Sequence, residues 1–145
     1  MAKGSEIKDL GIGDLARRTD TKVQTIRYYE QIGLLPEPLR SAGNQRVYGE
    51  DSLRRLAFIR HARDLGFGID AVRELLQLSD HPEQPCDDAD KIARRHLAEV
   101  EDRLKRLRSL RTELKRMVDH CHAGSIADCR VIEVLSDHAL CDHEH

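Results

Sequence analysis

Val23-Gln24-Thr25-Ile26-Arg27-Tyr28-Tyr29-Glu30-Gln31-Ile32-Gly33-Leu34-Leu35-Pro36 is the stretch whose reading decides the fold. Val23, Ile26, Tyr29 and Ile32 recur every three residues, which marks the buried face of a helix. Gly33 stops that helix, and Pro36 and Pro38 bar its continuation. Its outer face carries Lys22, Gln24, Thr25, Arg27 and Tyr28. Upstream, Ile12 to Arg18 reads as a short helix with Ile12, Leu15 and Ala16 inward. Asp20-Thr21 supplies a turn and a candidate N-cap for the second helix. Two short helices joined by a tight turn have the size of a helix-turn-helix.

Downstream, Arg40-Ser41-Ala42-Gly43-Asn44-Gln45-Arg46-Val47-Tyr48 reads as a hairpin, or wing. Gly43-Asn44 offers positive φ, and Val47-Tyr48 suits a strand. A helix opens at Asp51-Ser52 and breaks at Gly66 and Gly68; a shorter one runs from Ile69 to Leu78. The segment 81–85 is a linker. From Asp87 the pattern changes. Leu97, Val100, Leu104, Leu107, Leu114 and Val118, then Cys121, alternate at spacings of three and four, with Arg111 in a core slot. This is a heptad seam, and one helix cannot bury its own stripe. The simplest partner is the same helix of a second subunit. The domain reading is therefore 10–80 for the winged helix-turn-helix, 81–120 for the linker and dimerisation helix, and 121–145 for a Cys/His-bearing end.

The chain has 145 residues, 34% charged and 3% aromatic, with no Trp. That balance favours long amphipathic helices over an aromatic-rich core. The net charge of −2 is an average of two unlike parts. Residues 17–63 hold ten Lys/Arg against five Asp/Glu, a net +5, whereas 86–145 hold eleven against thirteen, a net −2. Three of the four Cys and five of the eight His fall in the last 26 residues. No apolar run approaches the length of a membrane span, and the N-terminus has no signal-type apolar stretch, so a cytoplasmic protein is expected. Cysteines of a non-secreted chain bind metal or react more often than they pair.

DNA binding needs cations for phosphates and a projecting element for a groove. The second helix offers Lys22, Gln24, Arg27 and Tyr28; the wing adds Arg40, Arg46 and Tyr48. Arg17, Arg18, Arg54 and Arg55 are read as ordinary solvated cations.

These blocks carry a resemblance. Ile12-Gly13-Asp14-Leu15-Ala16, Thr25-Ile26-Arg27-Tyr28-Tyr29-Glu30, Gly33-Leu34-Leu35-Pro36, Arg40 and Asn44-Gln45-Arg46-Val47-Tyr48, in this order, resemble the MerR family of bacterial transcription regulators. The resemblance runs from about Ile12 to Leu135. It implies a mainly α fold: a winged helix-turn-helix followed by a long helix that pairs as an antiparallel coiled coil in a homodimer. It also implies double-stranded promoter DNA as partner, and an inducer that lets the protein bend and untwist the promoter for RNA polymerase. Carried over, Arg27 and Tyr28 contact DNA from the second helix, and Arg40, Arg46 and Tyr48 from the wing.

Cys86 precedes the long helix and Cys121 ends it, 35 residues on. An unbroken helix separates them by roughly 50 Å, too far to share an ion within one chain. In an antiparallel homodimer the start of one helix lies beside the end of the other. Cys86 of one subunit then meets Cys121 and Cys129 of its partner, and three thiolates converge at each of two symmetric sites. Thiolates select soft or borderline ions. The resemblance implies that Cys121 and Cys129 flank a sensing loop and that a third Cys, at 86, marks the branches answering divalent ions. Zinc, cadmium and lead are the expected inducers, with mercury a close rival. His122 stands where some zinc sensors carry a second ligand; Cys141, His143 and His145 form a tail able to supplement a site. His61, His81, His96, His120 and His138 are read as non-ligands.

Other classes fare worse. A family member answering an organic effector is the nearest alternative. A metal buffer or chaperone leaves the winged helix-turn-helix unexplained. An enzyme is not expected, because the chain has no HExxH, no Gly-rich phosphate loop and no Ser/His/Asp block.

Overall fold

The structure is a computed structural model and describes residues 9–120 and 124–137. It divides into two compact units, Met1–Ile92 and Ala93–His145. Asp80, where the sequence reading ended the first domain, is the last residue capping a helix, and the next helix starts at Asp87.

The first unit contains α1 (Ile12–Thr19), α2 (Val23–Gln31), a hairpin of β1 (Leu39–Arg40) and β2 (Arg46–Val47), α3 (Glu50–Asp64) and α4 (Ile69–Ser79). Leu15, Ile26, Leu34, Tyr48, Leu56, Ile59 and Val72 are fully buried in one core, with Ile12, Ala16, Ile32 and Leu53 packed against it. Of the positions read from three-residue spacing, Ile26 and Tyr29 are buried, whereas Val23 and Ile32 are half-buried. Full burial of a Leu or Ile contributes about 1.5–3 kcal/mol.

Turn chemistry sets the angles between these helices. Asp20 closes α1 in the left-handed region, at φ 51°, and the Thr21 N–H reaches back to the Ala16 carbonyl at 3.0 Å. Asp tolerates this conformation better than most side chains. The expected side-chain cap at α2 does not form. Lys22 occupies the N-cap with no side-chain bond, and the Thr21 hydroxyl donates instead to the Thr19 carbonyl at 3.0 Å. Gly33 ends the α2 segment at φ 83°, which lets the Leu34 N–H bond the Tyr29 carbonyl at 2.9 Å. In the hairpin, Leu39 faces Val47 and Arg40 faces Arg46. Of Gly43-Asn44, only Asn44 takes positive φ, at 64°. Leu10 pairs with Tyr48 by two backbone bonds of 2.9 and 2.8 Å, extending the hairpin by a bridge that no local pattern announced.

The long helix α5 (Asp87–Asp119), whose 33 residues span about 50 Å, supplies most of the second unit, which starts at Ala93. Its first turn holds Asp87, Asp88 and Asp90, which complement the positive helix end. The Asp90 N–H bonds the Cys86 carbonyl at 2.9 Å. The seam is visible as exposed apolar surface: Leu97, Leu104, Leu107, Leu114 and Val118 are 44–65% exposed, and Val100 is half-buried. Glu113 and Met117, off the seam, are buried. A 3-10 turn (Ile126–Asp128) leads to α6 (Arg130–Ser136), a helix too short to be read from periodicity. Val134 of α6 is buried; Ile132 and Leu135 are exposed.

Candidate nucleic-acid interface and metal centre

Lys22, Gln24, Arg27 and Tyr28 all stand exposed on α2 or at its start. Lys22, Gln24 and Arg27 make no side-chain hydrogen bond or ion pair among the described residues. The Tyr28 ring is tilted against Tyr29, with centroids 5.9 Å apart, and is 48% exposed. Arg40 is exposed on β1, its guanidinium donating to the Asn44 carbonyl at 3.1 Å.

Arg46 and Tyr48 lie two residues apart and so share one face of their strand. That face turns toward α2. The Tyr48 hydroxyl donates to a Glu30 carboxylate oxygen, and Arg46 Nε lies 3.5 Å from the other. Tyr48 is 1% exposed, which corrects its expected place on the DNA face: it is a core residue that holds the wing against α2. Burial, then the hydrogen bond and charge of Glu30, push its hydroxyl pKa well above the usual tyrosine range. Arg46 is half-buried, and its Nε has no aligned hydrogen bond. Glu30, eighteen residues upstream of Tyr48, is the organising residue that sequence reasoning missed; the shared face of Arg46 and Tyr48 was the available signal.

A second clamp was also missed. Arg60 of α3 donates to the Asp20 carbonyl, to the Thr19 carbonyl at 3.5 Å and to the Asp20 carboxylate at 3.2 Å. Asp64 orients it from the other side at 3.0 Å. The turn between α1 and α2 is thereby fixed to the core helix. Arg17 and Arg54 pair within their own helices with Asp14 and Asp51, as ordinary surface cations do. Arg55 has more to do: its Nε donates to the Leu34 carbonyl at 2.9 Å and its Nη1 reaches Asp80 at 3.4 Å.

The surface that results is a projecting helix with three unengaged polar side chains, flanked by a hairpin carrying two arginines. Arg40 and Arg46 are cross-strand partners. Like charges directly opposite destabilise a hairpin unless an anion lies near. Glu30 serves Arg46; Arg40 has only a neutral carbonyl. A phosphate oxygen satisfies such a site.

For metals, Cys86 is exposed at the start of α5 and in no disulfide. Cys129 is half-buried at the N-cap of α6, its carbonyl accepting the Glu133 N–H at 3.0 Å. Cys121, His122, Cys141, His143 and His145 lie outside the described residues. Among the described residues no three His, Cys, Asp or Glu side chains gather as a metal site. Thiolate donors suit a soft or borderline ion, and Cys86 is exposed in a polar segment that needs no apolar side chain.

Known proteins match this arrangement. A family model described as MerR HTH family regulatory protein matches residues 10–79, and one described as MerR, DNA binding matches residues 53–117. The chain is 40% identical over 131 residues to the HTH-type transcriptional regulator ZntR of Escherichia coli strain K12, covering 88% of this chain and 93% of that protein. It is 34% identical over 128 residues to heavy metal-dependent transcription regulator 2 of Rhizobium meliloti strain 1021, covering 88% and 87%. Among solved structures, the transcription regulator PbrR691 from Ralstonia metallidurans CH34 in complex with lead(II) is 41% identical, with a TM-score of 0.76 over 87% of this chain and 98% of that one. These relatives are transcription regulators rather than enzymes. No helix among the described residues is long and apolar enough to cross a membrane. The chain belongs to the MerR family of helix-turn-helix transcription regulators.

Proposed function

We propose that this protein binds promoter DNA as an antiparallel homodimer and activates transcription by distorting the DNA when a divalent soft or borderline metal binds. Zinc, cadmium and lead are the candidate inducers, and mercury is the nearest rival. Lys22, Gln24, Arg27 and Tyr28 meet the DNA from α2; Arg40 and Arg46 grip the backbone from the wing; Tyr48 holds that wing in place. RNA polymerase is the partner at the distorted promoter.

The exposed seam of α5 carries this reading. Residues 87–102 hold six Asp/Glu against three Lys/Arg, a net −3, whereas 103–116 hold seven Lys/Arg against one Glu, a net +6. Antiparallel pairing lays the acidic half of each helix on the basic half of the other; parallel pairing sets like on like. Pairing the seam with itself matches Leu97 with Leu114, Val100 with Arg111 and Leu104 with Leu107. The same pairing brings the start of each helix, next to Cys86, to the end of the other, which Cys121 and Cys129 follow in the chain. Two independent patterns, apolar spacing and cysteine spacing, therefore agree on one dimer.

In that dimer Cys86 of one subunit with Cys121 and Cys129 of its partner hold the ion, and His122 is a further ligand of the zinc case. Cys141, His143 and His145 are supplementary donors. A bound ion supplies a bond between subunits that three neighbouring thiolates, repelling one another, do not supply alone. Metal response also agrees with the heavy metal-dependent regulator and the lead-bound regulator to which the chain is similar.

Transcription from the cognate promoter, measured across zinc, cadmium, lead, mercury and copper, tests the reading. Induction by at least one divalent ion of this set is expected. Absence of specific promoter binding, or a response to none of them, overturns it.

A further inference from the structure

Arg111 occupies a seam slot, and a guanidinium closed between two helices needs an anion. It is exposed and has no hydrogen bond or ion pair among the described residues. Glu101 is in the same condition, whereas Asp102 is held by Arg106 at 2.9 Å and Glu113 by Arg116 at 3.2 Å. Arg111 also lines an apolar groove on α5 with Leu107, Leu110, Leu114 and Val118.

The antiparallel register puts Arg111 in a layer with the partner's Val100, beside the partner's Glu101. Sliding the helices by one heptad keeps seam positions facing seam positions, although in one direction Leu114 then faces the partner's Asp90. Neither slide keeps the charges matched. One slide sets Arg111 opposite the partner's Leu107, between the partner's Arg106 and the partner's Arg108. The other sets it opposite the partner's Ala93, beside the partner's Arg94 and the partner's Arg95. Parallel pairing sets Arg111 against the partner's Arg111. Only one of these four arrangements offers Arg111 a flanking carboxylate.

Resting on the dimer reading above, we propose that Arg111 and the partner's Glu101 form the ion pair that selects the register of the dimer and restricts pairing to chains with the same pattern. Two-fold symmetry makes the pair twice, with Arg108 flanking it on the same side. The device works mainly by exclusion: an exposed ion pair adds little affinity, but a like-charge contact in a closing seam removes much of it. The reward for a correct register is that Cys86 reaches the segment carrying Cys121 and Cys129.

Charge exchange tests this. Arg111→Glu and Glu101→Arg should each weaken dimerisation about tenfold or more by sedimentation, at one like-charge contact per half-dimer. The double exchange, Glu101→Arg with Arg111→Glu, should restore dimerisation to within about threefold of the wild type. Mixed with tagged wild-type chain, it should form fewer than about a tenth of mixed dimers, where random pairing gives half. Arg111→Leu keeps the slot apolar and should dimerise at least as tightly, yet mix freely with both proteins. Helicity by circular dichroism confirms that each variant folds. Full-strength dimerisation by both single variants overturns the proposal. So does free mixing of the double exchange with wild type, or loss of dimerisation by folded Arg111→Leu. A wild-type chain that is monomeric at working concentration overturns the dimer reading itself, which is a separate outcome.

Discussion

The hydroxyl of Tyr48 donates to the carboxylate of Glu30, joining the residue that follows β2 to helix α2. Because Tyr48 is almost wholly buried, the bond has no water to replace it. Tyr48→Phe should cost about 1–3 kcal/mol in chemical denaturation, since it leaves the Glu30 oxygen short of a donor. The pH sign follows from the raised tyrosine pKa. Below the ordinary tyrosine value, near 10, both folded and unfolded chains are protonated and the contribution is complete. As pH climbs past that value the unfolded chain releases a proton that the fold retains, so stability falls. The wild type should lose stability above about pH 10, and Tyr48→Phe should lose less.

Arg60 predicts a different signature. It grips the backbone and carboxylate of Asp20 with one planar fork, and Asp64 sets the angle of that fork. A lysine ammonium cannot reproduce this geometry. Arg60→Lys and Arg60→Ala should therefore weaken promoter binding to similar degrees, several-fold, though Arg60 is not counted among the DNA contacts. Full binding by Arg60→Lys in gel-shift titrations would show that charge alone suffices there.

Much of this architecture was legible in the sequence. Ile26, Tyr29, Leu15 and Leu56 declared their burial by helical spacing, and the seam of α5 declared an apolar stripe that the chain leaves exposed. The misread residues share one cause. Tyr48 was placed on the DNA face with Arg40 and Arg46 because it belongs to the wing; the carboxylate that holds Arg46 and Tyr48 lies on another element. The Leu10–Tyr48 bridge and the hold of Arg60 on Asp20 are equally non-local. The expected N-cap failed for the opposite reason, since Thr21 found the nearer Thr19 carbonyl. The proposed metal centre is less legible still, because in that reading its thiols come from two chains.

The DNA face makes a prediction in salt. Arg27 and Arg40 are exposed, and a phosphate contact by either releases counterions from the duplex. Arg27→Ala and Arg40→Ala should each lower the slope of log affinity against log salt by about 1. Tyr28→Ala should weaken binding while leaving that slope unchanged, because a phenol carries no charge to exchange. Unaltered slopes in both arginine variants would place the phosphate contacts elsewhere.

The sharpest prediction concerns which chain supplies which thiol. If Cys86 of one subunit joins Cys121 and Cys129 of the other, then Cys86→Ser removes one donor from both sites of the dimer. A variant with Cys121→Ser and Cys129→Ser removes two. Each variant alone should lose the response to divalent metal. Their mixed dimer, however, contains one site with all three sulfurs: Cys86 from the second variant and the other two from the first. Co-expressing the two with different tags and purifying the mixed dimer should restore metal binding at half the wild-type stoichiometry, measured by equilibrium dialysis. A site held within one chain predicts no restoration, since neither chain then has all three thiols. Restoration in the mixed dimer combined with silence in both parents therefore identifies a centre built between subunits, and its absence in folded, dimeric protein refutes that geometry.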